Sequence, residues 1–202
     1  MQILHYVLVT LLGYLVGSFS NGYVVSRWWK GIDPREYASG RTGGTNVLRS
    51  AGLGPAVVTA VGDILKGVLA VVLARLLVGT DTAEVLAGLA AVLGHNHSIF
   101  LGFKGGAGTS ANIGVLFGLA PHIVPFVAIA VVVVGLGARM ASLASIAGGV
   151  TMVVAFAVSF FLSRSPVIHV VYGVLACAMI LFELRPNIAR LRAGTERRVD
   201  HL

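Results

Sequence analysis

Ser39, Gly40, Arg41, Thr42, Gly43, Gly44, Thr45 and Asn46, with Arg49 three residues later, form a polar glycine-rich run in an otherwise apolar chain. Its glycines let the backbone turn tightly and present successive N–H groups, while Ser39, Thr42, Thr45 and Asn46 add short hydrogen-bonding side chains. With Arg41 and Arg49 beside them, this run fits an oxyanion or phosphate cradle. It also fits a plain Gly/Ser/Thr loop between two helices. A second run, Lys104, Gly105, Gly106, Ala107, Gly108, Thr109 and Ser110, matches neither GxxxxGK[ST] nor GxGxxG, so it defines no nucleotide site. Its N–H groups nevertheless lead into a helix, whose positive end favours phosphate. Two such loops in one chain tip the balance toward anion binding.

Asp63 and Lys66 stand three apart on one helix face, with Lys66 roughly 18 Å along the axis from the start of its apolar run. At that depth a lysine needs a carboxylate partner or a wet cavity, so the pair reads either as part of an active site or as a structural ion pair. His95 and His97, two apart at the end of a helix, point to different faces and have no further ligand pattern; they fit a phosphate contact or a helix-end cap better than zinc. Ser142 and Ser145 share a face at i,i+3, where Ser142 serves equally as a helix cap or a substrate contact. No GxSxG elbow is present, so Ser39 and Ser142 are hydrogen-bonding groups rather than nucleophiles. His5, His122 and His169 sit at span ends as interfacial anchors, as do Trp28 and Trp29.

The elements that position these groups are membrane helices. The 202 residues are 56% hydrophobic and only 11% charged, and the mean hydropathy is +0.89, which excludes an ordinary soluble domain. The net charge of +7 is not a nucleic-acid signature, because the basic residues lie between and after apolar runs. The single Cys177, inside an apolar run, supports neither a disulfide framework nor a multi-cysteine metal site.

The apolar runs predict an all-α polytopic protein of seven transmembrane helices, at about 3–25, 54–78, 84–100, 109–120, 121–136, 143–162 and 167–182. Pro121 divides the fourth from the fifth, and the polar half of the first, GSFSNGY, must face other helices or a cavity. Seven crossings separate the termini, and the excess of Lys and Arg places the N-terminus outside and the C-terminus in the cytoplasm. The predicted organisation is a transmembrane domain over 1–184 and a basic cytoplasmic tail over 185–202, ending as a short surface helix or a frayed terminus.

The segments GSFSNGY (17–23), KGIDPREYASGRTGGTNVLRSAG (30–52), GDILKG (62–67), AAVLGHNHSIFLGFKGGAGTS (90–110), ASLASI (141–146) and RPNIARLRAGTE (185–196) resemble, in order, the bacterial acyl-phosphate-dependent glycerol-3-phosphate acyltransferases. That family consists of multi-pass inner-membrane enzymes. The resemblance implies transfer of a fatty acyl group from acyl phosphate to the 1-hydroxyl of glycerol 3-phosphate, giving lysophosphatidic acid and inorganic phosphate, with no covalent enzyme intermediate, no cofactor and no metal. It implies reaction roles for Ser39, Arg49, Lys104, Ser142 and His95. Phosphate and substrate contacts fall to Gly40, Gly43, Thr45, Asn46, Lys66, Gly105, Gly106, Gly108 and Asn187, and Arg41, at a position where the family pattern differs, joins them on its charge. Implied partners are the two substrates and membrane lipids, with no nucleic acid; no protein partner is specified and a monomer suffices. Relative to the family pattern, Ala107 replaces the second Lys of KGGKG and Leu184 replaces a His. These departures keep a divergent acyltransferase with another phosphorylated substrate in view, and the intramembrane charges keep a transporter of an anionic solute.

Overall fold

The computed structural model describes residues 2–199 of the chain. Among these, the chain forms α1 (Gln2–Ser18), α2 (Asn21–Lys30), α3 (Gly44–Ala51), α4 (Leu53–Leu77), α5 (Asp81–Asn96), α6 (Thr109–Leu119), α7 (Val124–Ala138), α8 (Ala141–Phe161), α9 (Val167–Glu183) and α10 (Arg185–Arg192), with short 3-10 turns at Pro34–Glu36, Ile99–Leu101 and Pro121–Ile123. Two compact units result, Met1–Leu119 and Ala120–Leu202.

In the first unit α1 packs along α5, and α4 lies against α1, α2, α3, α5 and α6. The contacts rest on small residues. A Cβ on Gly17 would collide with the Ala91 carbonyl across the α1–α5 contact, and one on Gly114 would collide with the Ile64 carbonyl across α4–α6. Helices that approach this closely gain dispersion contacts that lipid-facing leucines cannot supply. In the second unit α8 packs between α7 and α9, with Met152, Phe156, Tyr172 and Ile180 fully buried.

Many other large apolar side chains point outward: Phe161 is 82% exposed, Ile3 79% and Leu76 77%, whereas Thr59, Asp63 and Lys66 are buried. Water would penalise that arrangement, and a bilayer favours it.

Four stretches are long and apolar enough to cross a membrane: Gln2–Lys30, Leu53–Leu77, Pro121–Ala138 and Ala141–Phe161. The pair Val167–Glu183 and Arg185–Arg192, bent by 64°, makes a fifth if it counts as one span. The expected seven is thus corrected to four or five. The stretch read as 84–100 is α5, 16 residues that bury Glu84, His95 and Asn96 among neighbouring helices. The stretch read as 109–120 is α6, whose 11 residues extend only about 16 Å against a hydrocarbon core of about 30 Å. The external N-terminus and cytoplasmic C-terminus were inferred from seven crossings and lose that basis.

Polar residues break the first apolar stretch from within. α1 ends at Ser18 and α2 starts at Asn21, so Phe19 and Ser20 leave the helical ladder inside the 29-residue run. The carbonyl released there becomes part of the site.

Gly114→Val is expected to destabilise the folded protein by about 2 kcal/mol or more, since the collision is with backbone rather than a movable side chain. Gly137→Val, where nothing lies within 4 Å of an added Cβ, should leave the thermal midpoint in detergent near wild type. Equal midpoints for the two variants would refute the packing assignment.

Candidate active site

The site of the first unit is built around two buried charges on α4. Lys66 Nζ lies 3.0 Å from Asp63 Oδ1 and donates to the Phe19 carbonyl at 2.8 Å, the group freed by the break between α1 and α2. Asn21 Nδ2, at the start of α2, donates to the same Asp63 oxygen at 3.0 Å. His95 Nδ1, in the last turn of α5, approaches it at 3.5 Å. Lys66 is therefore paired with Asp63, as the ion-pair reading expected, and the pair belongs to a larger polar cluster. Asp63 Oδ2 is buried with no hydrogen-bond partner among the described residues.

His95 connects this cluster to the second glycine-rich loop. Its carbonyl accepts the Gly106 N–H at 3.0 Å, and an added Cβ on Gly106 would strike His95 Nε2. A Cβ on Gly105 would strike the His95 carbonyl. Only glycine permits this backbone to lie directly on the end of α5. Gly108, at φ +88°, turns the chain into α6.

The first glycine-rich loop is organised from inside by Asn46. Its Nδ2 donates to the carbonyls of Pro34 and Arg41, both at 2.7 Å, and its Oδ1 accepts the Ser39 N–H at 3.1 Å. Asn46 thus shapes the loop with both ends of its amide. Gly43 caps α3 in an extended conformation, so Gly44 and Thr45 carry the first N–H groups of that helix beside half-buried Arg41 and Arg49.

The Thr42 N–H donates to the Gly105 carbonyl at 3.1 Å and so ties one loop to the other, while Arg35 Nη1, ahead of the first loop, donates at 3.3 Å to the carbonyl of Leu101, ahead of the second. Arg35 also grips Asp33 through Nε and Nη2 and lies over the Tyr23 ring, 5.2 Å from its centroid. The Arg35 guanidinium holds the Asp33 carboxyl below its usual value, against an upward push from burial. The first loop leads into α3 and the second into α6, and Arg41, Arg49 and the exposed Lys104 lie on these same segments, a cationic and N–H-rich set suited to phosphate.

Ser142 and Asn187 fall in the second unit, where they meet at a residue that the sequence reading did not select. Ser142 Oγ donates to Glu196 Oε1 at 2.9 Å, Asn187 Nδ2 to the same oxygen at 2.6 Å, and Arg190 Nε to Glu196 Oε2 at 2.9 Å. The Val199 N–H then donates to the Arg139 carbonyl at 2.8 Å. Beyond α10 the tail folds back onto the start of α8 as far as Val199; its last three residues lie outside the described part. Burial pushes the Glu196 carboxyl up, but the hydrogen bonds from Asn187, Ser142 and Arg190, with the Arg190 charge, bring it below its ordinary 4.5.

The structure thus gathers Ser39, Gly40, Arg41, Gly43, Thr45, Asn46, Arg49, Lys66, His95, Lys104, Gly105, Gly106 and Gly108 within the first unit, and Ser142 with Asn187 within the second. Sequence reasoning missed Arg35 and Glu196 as organising residues and left Asn21 anonymous. Asn21 had a signal in the polarity of GSFSNGY. Arg35 and Glu196 had none beyond charge, because the long-range contacts that make them organisers, to the Leu101 carbonyl and to Ser142, appear only in the fold.

Fold and polar cluster together define a multi-pass membrane protein in which a glycine-rich loop lies on a histidine that contacts a buried ion pair. The profile of the glycerol-3-phosphate acyltransferase family matches residues 7–194. A glycerol-3-phosphate acyltransferase of Synechococcus sp. (strain CC9902) is 42% identical over 199 residues, covering 98% of this chain and 97% of the relative. Glycerol-3-phosphate acyltransferase 3 of Dehalococcoides mccartyi is 41% identical over 213 residues, covering 99% and 98%. Crystal structures of PlsY, an integral membrane glycerol 3-phosphate acyltransferase, superpose with TM-scores of 0.86 for the glycerol 3-phosphate form and 0.85 for the lysophosphatidic acid form, at 33% and 34% identity. They cover 96% of this chain and 95% and 94% of theirs. The chain belongs to the glycerol-3-phosphate acyltransferase family.

A carboxyl whose pKa is lower in the folded state adds stability above its unfolded value and loses that contribution as pH falls through the folded one. Glu196→Gln is therefore expected to lower the thermal midpoint at pH 7 and to speed amide exchange over 195–199. The gap to wild type should narrow as the pH drops below about 4.5. A gap independent of pH would show that the Glu196 charge contributes nothing.

Proposed function

We propose that this chain catalyses transfer of an acyl group from acyl phosphate to the 1-hydroxyl of glycerol 3-phosphate, releasing lysophosphatidic acid and inorganic phosphate. The observation that carries the reading is the Thr42 to Gly105 hydrogen bond, which makes one anion-binding surface of two loops. The relatives support it: the PlsY structures are of a glycerol 3-phosphate form and a lysophosphatidic acid form, the acceptor and the product of this reaction.

The chemistry asks little of the protein beyond alignment and charge. Acyl phosphate carries a good leaving group, so the acceptor hydroxyl oxygen attacks the carbonyl carbon directly. The carbon–oxygen bond to phosphate breaks, and the hydroxyl proton passes to a phosphate oxygen. What must be overcome is repulsion between two anions and the charge developing on the carbonyl oxygen. Arg49 supplies a planar fork and Lys104 a compact charge for the phosphates, with Arg41 beside them. N–H groups around Gly43, Thr45, Gly105, Gly106 and Gly108 complete the cradle, and Ser39 and Gly40 set the entry of the first loop. Asn46 holds that loop in shape, while His95 supports the second from beneath and Lys66 pairs with the Asp63 that His95 contacts. In the second unit Ser142 and Asn187 act on the tail through Glu196, and a substrate contact by either is the further role to test.

Purified protein given palmitoyl phosphate and glycerol 3-phosphate is expected to form lysophosphatidic acid and phosphate in equal amounts. Phosphate without lysophosphatidic acid would mean hydrolysis and would overturn the reading. A charge-assisted phosphate contact is worth about 1.5–3 kcal/mol, so Lys104→Ala should lower kcat/KM about 10- to 100-fold. His122→Ala, whose ring instead meets Ser159 at 3.0 Å in the second unit, should stay near wild type. Equal activity of the two variants would remove Lys104 from the site.

A further inference from the structure

Asp63 has a geometry that an ion pair alone does not explain. Among the described residues its Oδ1 takes three neighbours, Lys66 Nζ and Asn21 Nδ2 at 3.0 Å and His95 Nδ1 at 3.5 Å, while the buried Oδ2 has no hydrogen-bond partner. A carboxylate kept only for stability gains by spreading its donors over both oxygens, because a buried oxygen without a donor bears its full desolvation cost. Here every partner is drawn to one oxygen, and one of them is the ring that abuts the glycine-rich loop. That ring has little freedom. Its Nδ1 faces Asp63, its Nε2 faces the Cα of Gly106, and the carbonyl of the same residue accepts the Gly106 N–H.

We infer that Asp63 is a positioning residue for acyl transfer, acting through His95. By accepting the Nδ1 proton, the carboxylate fixes the tautomer and the rotamer of the imidazole, which then sets the height of Gly105 and Gly106 above the end of α5. Through the Thr42 to Gly105 hydrogen bond the same setting reaches the first loop. Lys66 and Asn21 hold the carboxylate still, and the Phe19 carbonyl holds Lys66. The break between α1 and α2 is thereby linked to the position of Lys104 and the anion cradle. This inference rests on the proposed acyl transfer, and the assay below separates the two, because wild-type protein that makes no lysophosphatidic acid sinks the transfer reading before any variant is compared.

The test is steady-state kinetics of wild type, Asp63→Asn, His95→Asn and the double variant, varying each substrate in turn with palmitoyl phosphate as donor. Positioning of a phosphate loop predicts a rise in KM of about tenfold or more for at least one phosphorylated substrate. The double variant should be no worse than the poorer single one, since both act along one path. A merely structural Asp63 would lower the active fraction, so kcat would fall with both KM values unchanged, and that result overturns the inference. Effects that multiply in the double variant overturn it as well. Should Asp63→Asn not be recovered folded, His95→Asn carries the test alone: it leaves the Asp63–Lys66 pair in place, and unchanged KM values for both substrates in it contradict the inference.

Discussion

A lysine and an aspartate among apolar helices each require a partner, and the first unit is arranged around that requirement. Lys66 meets Asp63 on its own helix, but a single ion pair leaves donor capacity on the ammonium that the interior must satisfy. The solution lies in the neighbouring stretch, where Phe19 and Ser20 leave the helical ladder and a backbone carbonyl turns to Lys66. Irregular backbone at membrane depth is tolerated where protein covers it, and here it is covered by the charge it serves. The polar sequence GSFSNGY is the visible trace of that exchange.

From this pair the organisation runs outward to the loops. Asp63 touches His95 at the end of α5, His95 underlies Gly106, and the loop containing Gly105 accepts a hydrogen bond from Thr42. The glycines at 105 and 106 are required by contact, since any side chain there would strike the His95 residue. The two loops, each leading into a helix and carrying cationic side chains, are thereby tied to one another through backbone. In the second unit a comparable economy holds the tail, where a single carboxylate, Glu196, gathers Ser142, Asn187 and Arg190.

The two glycine-rich loops, the membrane class and the break at Pro121 were legible because each depends on local composition: glycine for turns, apolar runs for lipid, proline for a helix end. The number of crossings was not. Hydropathy measures how apolar a segment is, and α5 is apolar because it packs against α1, α4 and α6, not because it is long enough to cross with the four stretches that are. The role of Asn46 was half legible. Its type suits a polar loop, but only the fold reveals that its amide is turned inward to Ser39, Pro34 and Arg41. Arg35 and Glu196 were hidden for a related reason: beside near neighbours such as Asp33 and Arg190, each reaches a partner far along the chain, the Leu101 carbonyl for Arg35 and Ser142 for Glu196, which no motif records.

The central claim is that the two loops, tied by Thr42 and Gly105, form one phosphate-binding surface. A structure of the protein with glycerol 3-phosphate bound tests it most directly. The expected result is a phosphate group in contact with Arg49 and Lys104, with the Thr42 to Gly105 hydrogen bond retained. A phosphate held by neither side chain, or bound with the two loops parted, would contradict it.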